Sequence, residues 1–192
     1  MFPWLSFLSY IIIMAITPGP NNIMSMNNAQ ITGFRRGLVF NVGIFAGFSM
    51  VMLICLAFST ALYAVVPRIQ LPMKILGAMY MLYLAIKTLL PAKEHNTYRV
   101  NSGFLIGAAL QFINPKIYIY GITANSSYIL PHFKSPPVLV AFAILLSFTG
   151  FVATLCWSAS GSLISLFFGK YKTGINIFMA ALLVYCAVSL FL

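Results

Sequence analysis

The stretch IIIMAITPGPNN, residues 11 to 22, decides how this chain must fold. Its first half is unbroken hydrocarbon, and Thr17-Pro18-Gly19-Pro20 then interrupts it. Proline lacks a backbone donor and clashes with the preceding turn, so a helix running into this stretch has to stop there. A second interruption, LQFINPK at residues 110 to 116, has the same character. Asn114 followed by Pro115 reads as an N-cap and first-turn pair that starts a new half-helix, and Thr17-Pro18 or Gly19-Pro20 can do the same.

The surroundings of both breaks are apolar. Of 192 residues 61% are hydrophobic and 6% charged, with a mean hydropathy of +0.98. Such a chain cannot present a water-compatible surface, which excludes a soluble globular fold. Apolar runs near 3–25, 37–62, 71–90, 102–130, 137–161 and 174–192 predict six transmembrane helices of about 20 residues each. The remainder serves for loops and leaves no room for a soluble catalytic or nucleotide-binding domain, which needs upward of about 50 residues. Residues 1–192 therefore read as a single all-α, polytopic transmembrane domain. The N-terminal run lacks a basic flank and a small-residue cleavage site, so it is expected to stay as a helix.

Charge sets the topology. Eleven Lys and Arg stand against one acid, Glu94, for a net charge of +10. Apart from Lys116, the bases lie in short connections or at helix ends, which is a membrane pattern and not a nucleic-acid-binding face. The odd connections, with Arg35, Arg36, Lys87, Lys93, Arg99, Lys170 and Lys172, outweigh the even ones, with Arg68, Lys74 and Lys134. By the positive-inside rule the odd connections face the cytoplasm and both termini lie outside. Cys55, Cys156 and Cys186 sit singly in apolar runs without a His or second Cys nearby, so they read as packing residues, and no metal or cofactor is called for.

Three spans per half, 1–96 and 97–192, make the second half enter the bilayer from the opposite side, an inverted repeat with helices one and four broken. At about 1.5 Å per residue, Thr17 lies roughly 22 Å along its segment and Asn114 roughly 18 Å along its own, inside a hydrocarbon core of about 30 Å. Interrupted backbone survives there only against protein or water, and paired interruptions in two halves point to a transporter's binding site. The two half-helix N-termini are expected to offer N–H groups and partial positive charge to an anionic group such as a carboxylate. Lys116 adds a full charge, which inside a membrane marks a functional position. Asn21, Asn22, Gln111 and Asn114 supply amides around Pro18, Gly19, Pro20 and Pro115, and Trp157 is a candidate to line the cavity.

Other features read as structure. Gly43, Gly47, Gly103 and Gly107 form small-residue faces for close helix packing. Trp4, Tyr63, Tyr98 and Tyr128 fall near segment ends as interfacial aromatics. His95 and His132 lie in connections. An intramembrane enzyme of the thiol-oxidoreductase or lipid-modifying kind would need a cysteine pair, a metal cluster or a positioned acid and base, and the apolar runs contain none of these. An accessory subunit gives no reason for two matched breaks.

TPGPNN at 17–22, GFRRG at 33–37 and QFINPK at 111–116 together resemble the LysE/RhtB family of bacterial inner-membrane amino-acid exporters. The stretches LQFINPKIYIYGITANSSYILP at 110–131 and NIFMAALLVYCAV at 176–188 look most like its cysteine/O-acetylserine branch. The resemblance implies proton-driven secondary export of small neutral amino acids or their metabolites, with Pro18, Gly19, Pro20, Gly33, Gly37, Asn114, Pro115 and Lys116 on the family's motifs. Its implied partners are a small amino-acid-like substrate and the lipid bilayer, with room for a homo-oligomer. Many members carry Asp where this chain has Asn21. With Glu94 in a loop, Lys116 is then the intramembrane group left to couple transport to protons, unless the substrate carries them.

Overall fold

A computed structural model describes residues 2–89, 103–167, 172–189 and 191. Among them the chain is entirely helical: α1 (Trp4–Ile16), α2 (Pro20–Thr32), α3 (Phe34–Ala57), α4 (Ser59–Leu89), α5 (Phe104–Phe112), α6 (Pro115–Thr123), α7 (Pro136–Phe167) and α8 (Lys172–Ser189). A π-helical stretch, Ala124–Ile129, continues α6 and closes with the Leu130 N–H donating to Asn125 O at 2.8 Å. The boundary expected between the halves, with Lys93, Glu94, His95, Tyr98 and Arg99, lies outside the described residues, as does Lys170. So do the side chains of Tyr63, Arg68, Lys87 and Lys172.

Both expected breaks are present. Pro20 and Pro115 each occupy the first turn of a new helix. The residue before each proline is extended, with Gly19 at φ −167°, ψ 174° and Asn114 at φ −91°, ψ 102°. Thr17, before Pro18, is extended as well, at φ −55°, ψ 134°. All three follow from the clash of a proline ring with a helical predecessor.

Two helices differ in length from the apolar runs. The first run was expected to end near residue 25, yet α2 continues to Thr32, with every residue from Asn22 to Ala29 buried. Its polar side chains face other helices in place of water, so polarity does not mark the helix end there. Likewise α4 begins immediately after Phe58 and stays helical through the expected connection at 63–70. An apolar run shows where hydrocarbon ends; a helix leaving it keeps its own backbone bonds.

Solvation is inverted relative to a soluble protein. Leu5 is 83% and Leu105 78% exposed, and Ile12, Ile13, Met79, Ile86, Phe178 and Tyr185 also face outward. Asn22, Ser25, Asn27, Asn28, Asn41, Gln111, Asn114 and Ser158 are buried. A surface of this kind is solvated by lipid. Two helices, α3 and α7 over Pro136–Ile164, are each long and apolar enough to cross a bilayer alone. One apolar cluster gathers Phe7, Ile11, Val51, Met52, Tyr120 and Leu146. Another joins Ile23, Ile44, Met81 and Leu183. Trp4, half exposed, packs on Phe7 and Phe142, Tyr10 stacks on Tyr128, and His132 is exposed. Cys55 and Cys186 are buried and Cys156 is exposed.

Glycine sets the closest approaches. A Cβ at Gly43 would lie 2.1 Å from Phe104 O, one at Gly47 2.3 Å from Ala108 O, and one at Gly107 2.3 Å from Phe40 O, so α3 and α5 meet backbone to backbone. Gly103, expected to share this role, has nothing within 4 Å. Gly161 brings α7 equally close to α2, where its Cβ would lie 2.1 Å from Met26 O. Gly43→Ala is therefore expected to force α3 and α5 apart at a cost of about 2 kcal/mol, seen as a lower melting temperature of the purified protein in detergent. Gly103→Ala should melt like the parent chain.

Candidate functional site

The broken end of α1 leaves carbonyls without helical partners, and those of Ala15, Ile16 and Thr17 receive side chains from elsewhere. Asn22 Nδ2 donates to Ala15 O at 2.8 Å and to Thr17 O at 3.0 Å. Trp157 Nε1, on α7, donates to Ile16 O at 3.1 Å. Lys116 Nζ, in the first turn of α6, donates to Thr17 O at 2.9 Å. A cation at a helix C-terminus is favoured by the dipole as well as by the hydrogen bond. Gly19 makes room for it, since a Cβ there would lie 3.1 Å from Nζ.

The two breaks are joined through amides. Asn21 Nδ2 donates to Gln111 Oε1 at 2.7 Å, and Gln111 Nε2 donates back to Asn21 Oδ1 at 3.3 Å. Asn114 Nδ2 donates to the same Oδ1 at 3.3 Å. Gln111, fully buried, also donates to Gly107 O at 2.8 Å, which fixes its orientation. Asn114 Oδ1 accepts from the Lys116 N–H at 3.1 Å and so caps α6 as its sequence position predicted. That bond uses one of the N–H groups expected to be free at this break.

An open cavity of about 40 Å³ lies beside this junction. Gly19, Pro20, Asn21, Asn22, Asn114 and Lys116 form its polar side, and Phe48, Ile117, Tyr120, Gly150 and Thr154 contribute from α3, α6 and α7. A smaller cavity of about 20 Å³ shares Pro20, Asn21 and Asn114 and adds Pro115, Met24, Tyr80 and Met81. The amide junction therefore separates two spaces.

With this geometry in view, the family model for LysE type translocators matches residues 12–192. The chain belongs to the LysE type translocator family. It is 38% identical over 187 residues to a cysteine/O-acetylserine efflux protein of Salmonella typhimurium, covering 97% of this chain and 96% of that protein. It is 40% identical over 184 residues to the protein of that description from Klebsiella pneumoniae, covering 95% and 94%. The Escherichia coli K12 protein of that description is 37% identical over 187 residues, covering 97% and 96%. No solved structure matches. The chain is thus a membrane transporter and not an enzyme, and the resemblance seen in its motifs holds along its length.

The translocator's expected site residues divide by position. Gly19, Pro20, Asn21, Asn22, Asn114 and Lys116 meet at the larger cavity, Pro115 lines the smaller one, and Gln111 stands behind Asn21. Pro18 is exposed and lines neither; Trp157 acts by holding the end of α1. Sequence reasoning missed Phe48, Tyr120, Gly150 and Thr154, which lie in apolar runs. The i, i+4 spacing of Gly150 and Thr154 was the available signal. The lining offers one ammonium, amide donors and acceptors, and no carboxylate. Asn22→Leu would leave Ala15 O without a donor and Thr17 O with Lys116 alone, and should destabilise the translocator by about 1–3 kcal/mol, measurable as a fall in melting temperature.

Proposed function

We propose that this chain is a secondary exporter of small neutral amino acids or their close metabolites, cysteine and O-acetylserine among them, across the bacterial inner membrane. The observation that carries the reading is the cavity's chemistry: Lys116 and the amides of Asn21, Asn22 and Asn114 surround an open space whose lining contains no acid. An ammonium with three hydrogens gives one to Thr17 O and has two left for a carboxylate. The start of α2 supports it, because Gly19 supplies no side-chain cap and leaves first-turn N–H groups for an anion. Since Asn114 already caps α6, the helix-terminal share of anion binding falls to α2. A substrate ammonium finds acceptors in the amide oxygens and in the carbonyl of Ala15, which lines the cavity and takes one donor. A lysine side chain finds no counter-charge, which favours neutral amino acids. The names of the similar efflux proteins support the substrate class.

In this reading six transmembrane segments form two inverted three-helix halves, 1–96 and 97–192, that rock about the junction in alternating access. Both termini are periplasmic, with Arg35 and Arg36 on the cytoplasmic side. Lys116 is the cation of the cavity and couples export to the proton gradient.

The test is efflux from proteoliposomes containing only this chain, loaded with labelled cysteine, O-acetylserine, threonine or lysine, with and without a proton gradient. Cysteine and O-acetylserine should leave faster with the gradient imposed, and lysine should stay; lysine-only efflux overturns the substrate class. Lys116→Met should insert normally and lose at least about tenfold in export rate, the worth of a charge-assisted hydrogen bond, while Lys116→Arg keeps part of it.

A further inference from the structure

The polar side of the larger cavity does not end at the break. Asn22, Ser25 and Asn28 recur every third residue of α2, on one face over about 9 Å. On α7, Thr154 is followed one turn later by Ser158, and Asn22 and Thr154 both line the cavity. Ser158 Oγ donates to Ser25 O at 3.1 Å, and Asn41 Nδ2 of α3 donates to Ser158 Oγ at 2.7 Å. Asn28 Nδ2 lies 3.7 Å from where a Cβ would stand on Gly37, one turn before Asn41. Three helices thus bring Ser25, Asn28, Asn41 and Ser158 together, each no more than 3% exposed.

Among the described residues, Ser25 Oγ, both polar atoms of the Asn28 side chain and Asn41 Oδ1 have no hydrogen-bond partner. Buried amides and hydroxyls are ordinarily paired, and a packed apolar cluster of similar volume would be more stable than one with four orphan atoms. The atoms include donors and acceptors but no charge. They match a net-neutral zwitterion and the water it carries, and hold neither end tightly.

We propose that Ser25, Asn28, Asn41 and Ser158 form a second polar station on the transport route, between the cavity and the Gly33–Arg36 end of α2. The station takes the zwitterionic solute with its water on the cytoplasmic side of the junction, and so rests on the exporter reading. The backbone contact of Gly161 with Met26 keeps it shut in this structure. It opens when α7 moves away from α2.

Cysteine accessibility tests this. In a chain with Cys55, Cys156 and Cys186 replaced by Ser and export retained, Ser25→Cys and Ser158→Cys are near-isosteric reporters of the station. Asn21→Cys reports the cavity, and Ile23→Cys, fully buried in the apolar cluster, is the dry control. With a small charged methanethiosulfonate, positions 21, 25 and 158 should react and position 23 should not. O-acetylserine at ten times its Kd should slow all three about tenfold. Labelling at 21 with 25 and 158 as inert as 23 overturns the station and leaves the exporter reading standing. Absence of O-acetylserine efflux from the parent chain overturns both. Asn28→Leu adds a second measurement: the station predicts an export rate at least about tenfold lower, whereas a raised melting temperature with unchanged export refutes it.

Discussion

Hydrocarbon supplies no hydrogen bonds, so a helix that stops inside it must be finished by the protein. The end of α1 meets this demand with Asn22 from the next helix, Lys116 from α6 and Trp157 from α7. Three carbonyls in a row therefore fix the relative positions of residues near 16, 116 and 157. The cavity, the placement of the ammonium and the amide junction all follow from that constraint.

The same constraint explains where α2 sits. Its sequence, PNNIMSMNNAQIT, is the most polar of the helices and is buried along most of its length, against α3, α7 and α8. Lipid would reject those amides, whereas neighbouring helices can bond them: Asn27 accepts from Thr88, Gln30 donates to Asn176 and Asn21 pairs with Gln111. Glycines at 43, 47, 107 and 161 let backbones approach closely without large side chains, which is how apolar helices gain contact energy when no water is expelled.

Much of this was legible in the sequence. Proline removes a donor wherever it stands, so Pro18, Pro20 and Pro115 announced the breaks, and Asn114 announced its own cap. Lys116 stood out because charge is costly in lipid. What could not be read was partnership across the chain. No periodicity links Lys116 to the carbonyl of Thr17, or Asn41 to Ser158, because each bond depends on helix placement. The length of α2 is not legible from the apolar run, because its polar residues 27 and 28 face protein and not the edge of the membrane. Gly103 had the right spacing for packing but stands open at the end of its helix, beyond the contact that Gly107 makes.

The position of Lys116 carries a mechanical corollary. Its ammonium spends one hydrogen on Thr17 O, so the end of α1 is latched to the start of α6 across a gap of 99 residues in sequence. A displacement of either broken helix is thereby handed to the other, and the two interruptions are geared together.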